Sequence, residues 1–147
     1  MTTPSGKPNI LIVEDNSADV VLLRYALDRL EQAYELLVLR DGEEALRFVE
    51  DHRVGIRRPD PCVIVLDLHL PKHNGLEVLR AIKRTPPLAH IHVVVLTGSA
   101  APSEELEIFG LSGTCLRKPS DLDSYLKLAE DLMAICREGL AAPVERV

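Results

Sequence analysis

A chain of 147 residues with a formal charge of −6 and 46% hydrophobic residues has the length of one globular domain, and folding at that length buries roughly 70% of the unfolded surface. Its apolar residues come in short runs broken by polar segments, so no stretch reaches the ~20 apolar residues of a membrane span, and residues 1–8 lack the apolar core of a signal peptide. The acidic balance works against nonspecific attraction to nucleic acid. The densest basic group, Arg53, Arg57 and Arg58, lies in a Pro/Gly-containing connector without aromatics to stack on bases, and reads as a solvated loop. Cys62, Cys115 and Cys136 share no CxxC or zinc-like spacing and each falls in an apolar run, so all three are expected as reduced packing thiols. That expectation places the protein in the cytoplasm.

The first apolar run, 10–13, is followed by a segment of helical period in which Val20, Leu23, Leu27 and Leu30 share a stripe, with Asn16 as N-cap and Asp19 in the first turn. A second run, 36–39, precedes a helix over about 43–49. The third, 62–66, precedes a helix over 76–84, where Leu76, Leu79 and Ile82 recur every three residues until Pro86 and Pro87 stop it. The fourth run, 92–96, leads into a short acidic helix over about 104–109. The fifth, 114–116, leads into a last helix over 122–138, aligning Leu122, Tyr125, Ala129, Leu132 and Cys136, with Gly139 as its terminator.

The five runs are continuous rather than alternating, the mark of parallel strands covered on both faces. Strands alternating with helices predict right-handed crossovers and a three-layer α/β sandwich. The expected organisation is one domain over 8–139, a short tail at 140–147, and no output domain.

In such a sheet the ligand site lies beyond the carboxyl ends of the strands. Glu14 and Asp15 follow the first strand, Asp67 the third, Thr97 the fourth, and Lys118 with Pro119 the fifth; the second, ending at Arg40 and Asp41, contributes nothing obvious. If the first and third strands are neighbours about 4.8 Å apart, Glu14, Asp15 and Asp67 crowd one crevice. Carboxylates so close either raise a pKa or bind a cation, and an all-oxygen site suits Mg2+. A carboxylate, a divalent ion, a lysine and a hydroxyl together are equipped to accept a phosphoryl group. Asp67 is the expected nucleophile, Lys118 and Mg2+ neutralise charge, Thr97 offers its hydroxyl, and the backbone N–H of Gly98 faces phosphate.

The segments IVEDN at 12–16, VLDLHLPKHNG at 65–75, VVLTGSA at 94–100 and LRKPSD at 116–121 resemble the blocks of bacterial response-regulator receiver domains. The resemblance implies a doubly wound, flavodoxin-like sheet of order 2-1-3-4-5 and phosphotransfer from the histidine of a sensor histidine kinase. It also implies Mg2+ held by Glu14, Asp15, Asp67 and the backbone carbonyl of His69, and a cis peptide bond before Pro119 that steers Lys118 into the crevice. The stretches NSADVVLLRYAL and DGEEALRFV are similar to stand-alone regulators serving phytochrome-type kinases. They imply a light-sensing kinase as partner and a homodimer through the fourth helix, fifth strand and fifth helix, with an unknown downstream effector.

Receiver domains usually carry Phe or Tyr three residues before the lysine; here that position is Cys115, too small for an aromatic lever. Switching is therefore expected to run through the 97–101 loop and the fourth helix. His69 and His73 lack a third soft ligand at metal spacing and read as loop residues, and His52 as a surface residue. Leu106, Ile108, Phe109 and Leu111 exceed what a short helix can bury, and Leu126, Leu128, Met133 and Ile135 look like a similar surplus on the last helix. The rival class is an enzyme, an aspartyl-nucleophile phosphohydrolase. It wants a second acid two residues after the nucleophile, where His69 stands, and a cap segment the chain lacks. A phosphoacceptor signalling protein, not an enzyme, is the expected reading.

Overall fold

All five apolar runs form strands, within one residue of the expected span at each end: β1 (Asn9–Val13), β2 (Glu35–Leu39), β3 (Val63–Asp67), β4 (His92–Thr97) and β5 (Gly113–Arg117). Between and after them run α1 (Ser17–Arg29), α2 (Gly42–Arg53), α3 (Gly75–Arg84), α4 (Pro86–Ala89), α5 (Pro102–Gly110) and α6 (Leu122–Glu138). The computed structural model describes residues 6–56 and 58–138. Arg57, the expected terminator Gly139 and the expected tail 140–147 lie outside the described residues.

The strands form one parallel sheet of order β2-β1-β3-β4-β5. The fold is thus the doubly wound α/β class that the sequence implies. Alternate residues of the central strands serve two cores. Leu11, Val13, Ile64, Leu66, Val93 and Val95 face α2, α3 and α5. Ile10, Ile12, Val63, Val65, Val94 and Leu96 face α1 and α6. Both faces are dry, which is why these strands read as unbroken apolar runs; each such side chain contributes roughly 1.5–3 kcal/mol on burial.

Three helices that follow strand exits start under a side-chain cap, α1 and α2 after short turns and α3 after the longer loop 68–74. Asn16 accepts the N–H of Ala18 at 2.9 Å, Asp41 that of Glu44 at 2.8 Å, and Asn74 that of Glu77 at 3.0 Å. The caps satisfy orphan donors and fix where each loop ends.

The structure corrects several expectations. Pro86 does not simply stop α3: it opens the short α4, a position that suits its fixed φ and missing N–H. Cys62 and Cys136, expected as separate thiols, are joined in a disulfide, because the last turn of α6 packs over the entrance of β3 with the two Cα atoms 5.1 Å apart. Only Cys115 is free, and the thiol-based argument for a reducing compartment loses its premise. No helix among the described residues is long and apolar enough to cross a membrane. His52 is buried rather than on the surface, with Nδ1 3.2 Å from the Phe48 carbonyl and Nε2 3.1 Å from Asp60. On α6, Leu128 and Met133 are buried and Leu126 and Ile135 pack against the core, so the supposed surplus is absorbed.

Candidate functional site

The strand register builds the site. Val13 is level with Leu66, and Asp67 with Leu96, so the residues leaving β1, β3 and β4 emerge side by side at one edge of the sheet. Carboxylate oxygens of Glu14, Asp15 and Asp67 lie within 4.8 Å of one another. Glu14 and Asp67 are buried and Asp15 is exposed. Local hydrogen bonds hold the carboxylates: Asp67 Oδ1 accepts the His69 N–H at 3.1 Å and Glu14 Oε2 accepts the Asn16 N–H at 3.1 Å.

Lys118 closes the site from the β5 side. Its backbone N–H donates to the Thr97 carbonyl at 2.8 Å, carrying the β4–β5 ladder one residue past the strand. Its ammonium lies 3.0 Å from Glu14 Oε1, 3.3 Å from Asp67 Oδ2 and 3.2 Å from Asp19 Oδ2. It makes these contacts across a trans Lys118–Pro119 bond, since no described peptide bond is cis. The expected cis bond is therefore corrected: the ladder already aims the lysine, and trans is the lower-energy X–Pro isomer by about 0.5–1 kcal/mol.

Asp19 is a site neighbour that the sequence reading left as a helix-start acid. It lies in the first turn of α1, and its Oδ1 accepts the Tyr125 hydroxyl at 3.0 Å. Thr97 is buried, with its hydroxyl turned into its own loop: it donates to the Ser99 carbonyl at 2.6 Å and accepts the Ser99 N–H at 3.1 Å. Gly98 follows, and a Cβ there would meet nothing within 4 Å, so no packing demands glycine. The His69 ring is exposed, with Nε2 3.4 Å from the Ser99 carbonyl.

The electrostatics follow from crowding. Burial pushes the Glu14 carboxyl up to about 7, with the charge of Asp67 adding to it and the hydrogen bond from Lys118 opposing it. Burial also works against the charge on Lys118, but its hydrogen bond to Glu14 and the charges of Asp67 and Glu14 outweigh it and hold the ammonium above the ordinary lysine range. Burial and the neighbouring Asp19 hold the Tyr125 hydroxyl protonated well above its usual range. Three clustered carboxylates with a fourth, Asp19, nearby exceed the single positive charge of Lys118. This oxygen-only donor set fits a hard divalent cation.

The family model for the response regulator receiver domain matches residues 10–130. The chain belongs to the response regulator receiver family. This receiver domain is 36% identical over 145 residues to response regulator Rcp1 of Synechocystis sp., covering 97% of this chain and 99% of Rcp1. The crystal structure of the Mn2+-bound form of Rcp1 superposes with a TM-score of 0.75 at 34% identity, covering 95% of this chain and 99% of that one. That of the phosphorylated cyanobacterial phytochrome response regulator RcpA gives a TM-score of 0.77 at 31% identity, with the same coverage. As a receiver domain of two-component signalling, this chain has a fold, an acidic divalent-metal cluster and a phosphoacceptor signalling role that agree with one another.

Proposed function

We propose that Asp67 is the residue that accepts the phosphoryl group, from the phosphohistidine of a sensor kinase. A carboxylate oxygen of Asp67 forms the new P–O bond as the P–N bond to the kinase imidazole breaks, and the departing imidazole takes up a proton. Lys118 neutralises charge on the phosphoryl oxygens. Thr97 and the Gly98 N–H donate to them once the Thr97 hydroxyl leaves the Ser99 carbonyl. Mg2+, held by Glu14, Asp15, Asp67 and the His69 backbone carbonyl, would supply charge neutralisation and orientation when bound. What carries this reading is the convergence of those carboxylates on Lys118 at the carboxyl edge of adjacent strands.

The reading extends to the domain, 8–139, to the cytoplasm as its location, and to a phytochrome-type kinase as partner, supported by the likeness to RcpA. Output is a protein contact rather than catalysis, since His69 stands where a phosphohydrolase would need its second acid. The surface fitted to a homodimer is α5 with β5 and the start of α6, where Leu106, Phe109, Leu116 and Leu122 are exposed. The test is incubation with acetyl phosphate and Mg2+ followed by intact-mass measurement. Wild type gains one phosphoryl group and Asp67→Asn none; a wild type that gains nothing refutes the proposal.

A further inference from the structure

The exit of β2, which offers no chemistry of its own in the sequence, grips the site from outside. The Leu39 carbonyl accepts the N–H of Glu14 at 2.9 Å, and the Gly42 N–H donates to the Pro71 carbonyl at 3.1 Å. Gly42 lies so close to the loop between β3 and α3 that a Cβ on it would stand 2.5 Å from both His73 Cβ and the His73 carbonyl oxygen, and 2.9 Å from the His73 nitrogen. These are backbone atoms and a Cβ, none of which side-chain rotation can swing aside. Next to this contact, Lys72 adopts φ 73°, in the left-handed region that L-residues rarely enter. Its ammonium is held 3.1 Å from Glu43 and 3.5 Å from Asp41, and those carboxylates hold its charge above the ordinary lysine range.

The far end of the loop is pinned as well. The Gly75 N–H donates to the Leu68 carbonyl at 2.7 Å, and a Cβ on Gly75 would stand 2.6 Å from the Asp67 carbonyl oxygen. The loop that carries His69 is thus fixed at its root by Gly75 and at its crest by Gly42 and the Lys72 ion pairs. A small divalent cation demands near-ideal octahedral geometry, so its affinity depends on where this loop stands.

We propose that the β2–α2 junction is a positioning clamp: Gly42, with Asp41 and Glu43 gripping Lys72, fixes the β3–α3 loop and thereby sets the affinity of the acidic site for its divalent cation. The proposal rests on the metal-dependent phosphoacceptor reading and adds residues that do not touch the ion. Lys72 is mostly exposed, and exposed ion pairs add little to stability, so the clamp is read out in metal affinity, not in melting temperature.

The experiment titrates Mn2+ into the full chain and follows the free-ion EPR signal, with circular dichroism confirming the fold. Gly42→Ala weakens binding about tenfold, the scale seen when outer-layer supports of a metal site are lost. Lys72→Ala weakens it about threefold, and Lys72→Arg restores it. Acetyl-phosphate labelling of both weakened variants reaches the wild-type rate at saturating Mg2+, so only the metal half-saturation point moves. Folded Gly42→Ala and Lys72→Ala proteins that bind Mn2+ like wild type overturn the clamp while leaving the phosphoacceptor reading intact. If Gly42→Ala fails to fold, Lys72→Ala decides alone. A wild type that binds no Mn2+, or binds it as well after Asp67→Asn, overturns the reading of the site and the clamp with it.

Discussion

Lys118 occupies a place that a divalent cation also wants. Its ammonium touches Glu14, Asp19 and Asp67, so a metal ion entering the cluster meets a like charge a few ångströms away, little screened in a half-buried crevice. Lys118→Ala should therefore tighten Mn2+ binding while slowing phosphorylation by acetyl phosphate, an opposition that paired titrations and labelling rates measure directly. Unchanged or weaker metal binding would show that the lysine does not compete. Glu14 gives the pH signature. Its carboxyl titrates near 7 in the fold against an ordinary 4.5, so the stability it contributes is complete below about 4.5 and is lost as pH climbs through about 7. In EDTA, the melting temperature of wild type should fall between about pH 5 and pH 8, and Glu14→Gln should flatten that fall. Equal slopes for the two proteins would remove Glu14 as its source. Glu14, Asp15, Asp67, Thr97 and Lys118 were legible because each ends an apolar run, and strand ends are visible in sequence. Asp19 was not, because its contact with Lys118 spans 99 positions of sequence and its place in a first turn already had an explanation.

Along its nine residues α5 is lightly anchored. Ile108 is its one fully buried side chain, and Glu107 reaches across to Arg80 of α3 in a two-point pair, one bond at 3.0 Å and a second from Arg80 Nε. The Glu104 side chain accepts the Ala101 N–H at 2.8 Å and closes the start of the helix. With Cys115 in place of an aromatic, the loop from Thr97 to Ala101 feeds directly into this lightly held element. Arg80→Ala should accelerate amide hydrogen exchange across 102–110 with little change in Mn2+ affinity; exchange confined to its wild-type rate would show that apolar contacts alone hold α5. The exposed surplus on this helix was readable, since Leu106 and Phe109 are 72% and 80% exposed. The same reasoning failed on α6, because that helix packs on α1 as well as on the sheet. A helix with two packing partners buries a wider face than one stripe of helical spacing reveals.

At the scale of the whole molecule, two features join parts that are distant in sequence. The Cys62–Cys136 disulfide spans 74 positions, and neither cysteine sits in a local motif, so only the fold could pair them. Closing a loop of that length is worth about 4 kcal/mol in the chain-entropy model; reductant or Cys136→Ser should lower the melting temperature, and a melt indifferent to both would mean the bond contributes nothing. The second feature is the set of exposed apolar side chains Leu106 and Phe109 on α5, Leu116 on β5 and Leu122 at the start of α6, with β5 the last strand of the sheet among the described residues. On the proposed dimer reading, an aromatic ring left 80% in water favours association with a surface of the same character, and a second copy of this chain would present one. Because α5 follows the Thr97 loop in the chain, the proposed phosphorylation at Asp67 should shift the monomer–dimer balance through that helix. Light scattering across a concentration series, with and without acetyl phosphate and Mg2+, reads both effects. Phe109→Glu should hold the chain monomeric in either state while leaving phosphorylation intact, and a wild type that stays monomeric throughout would eliminate the dimer.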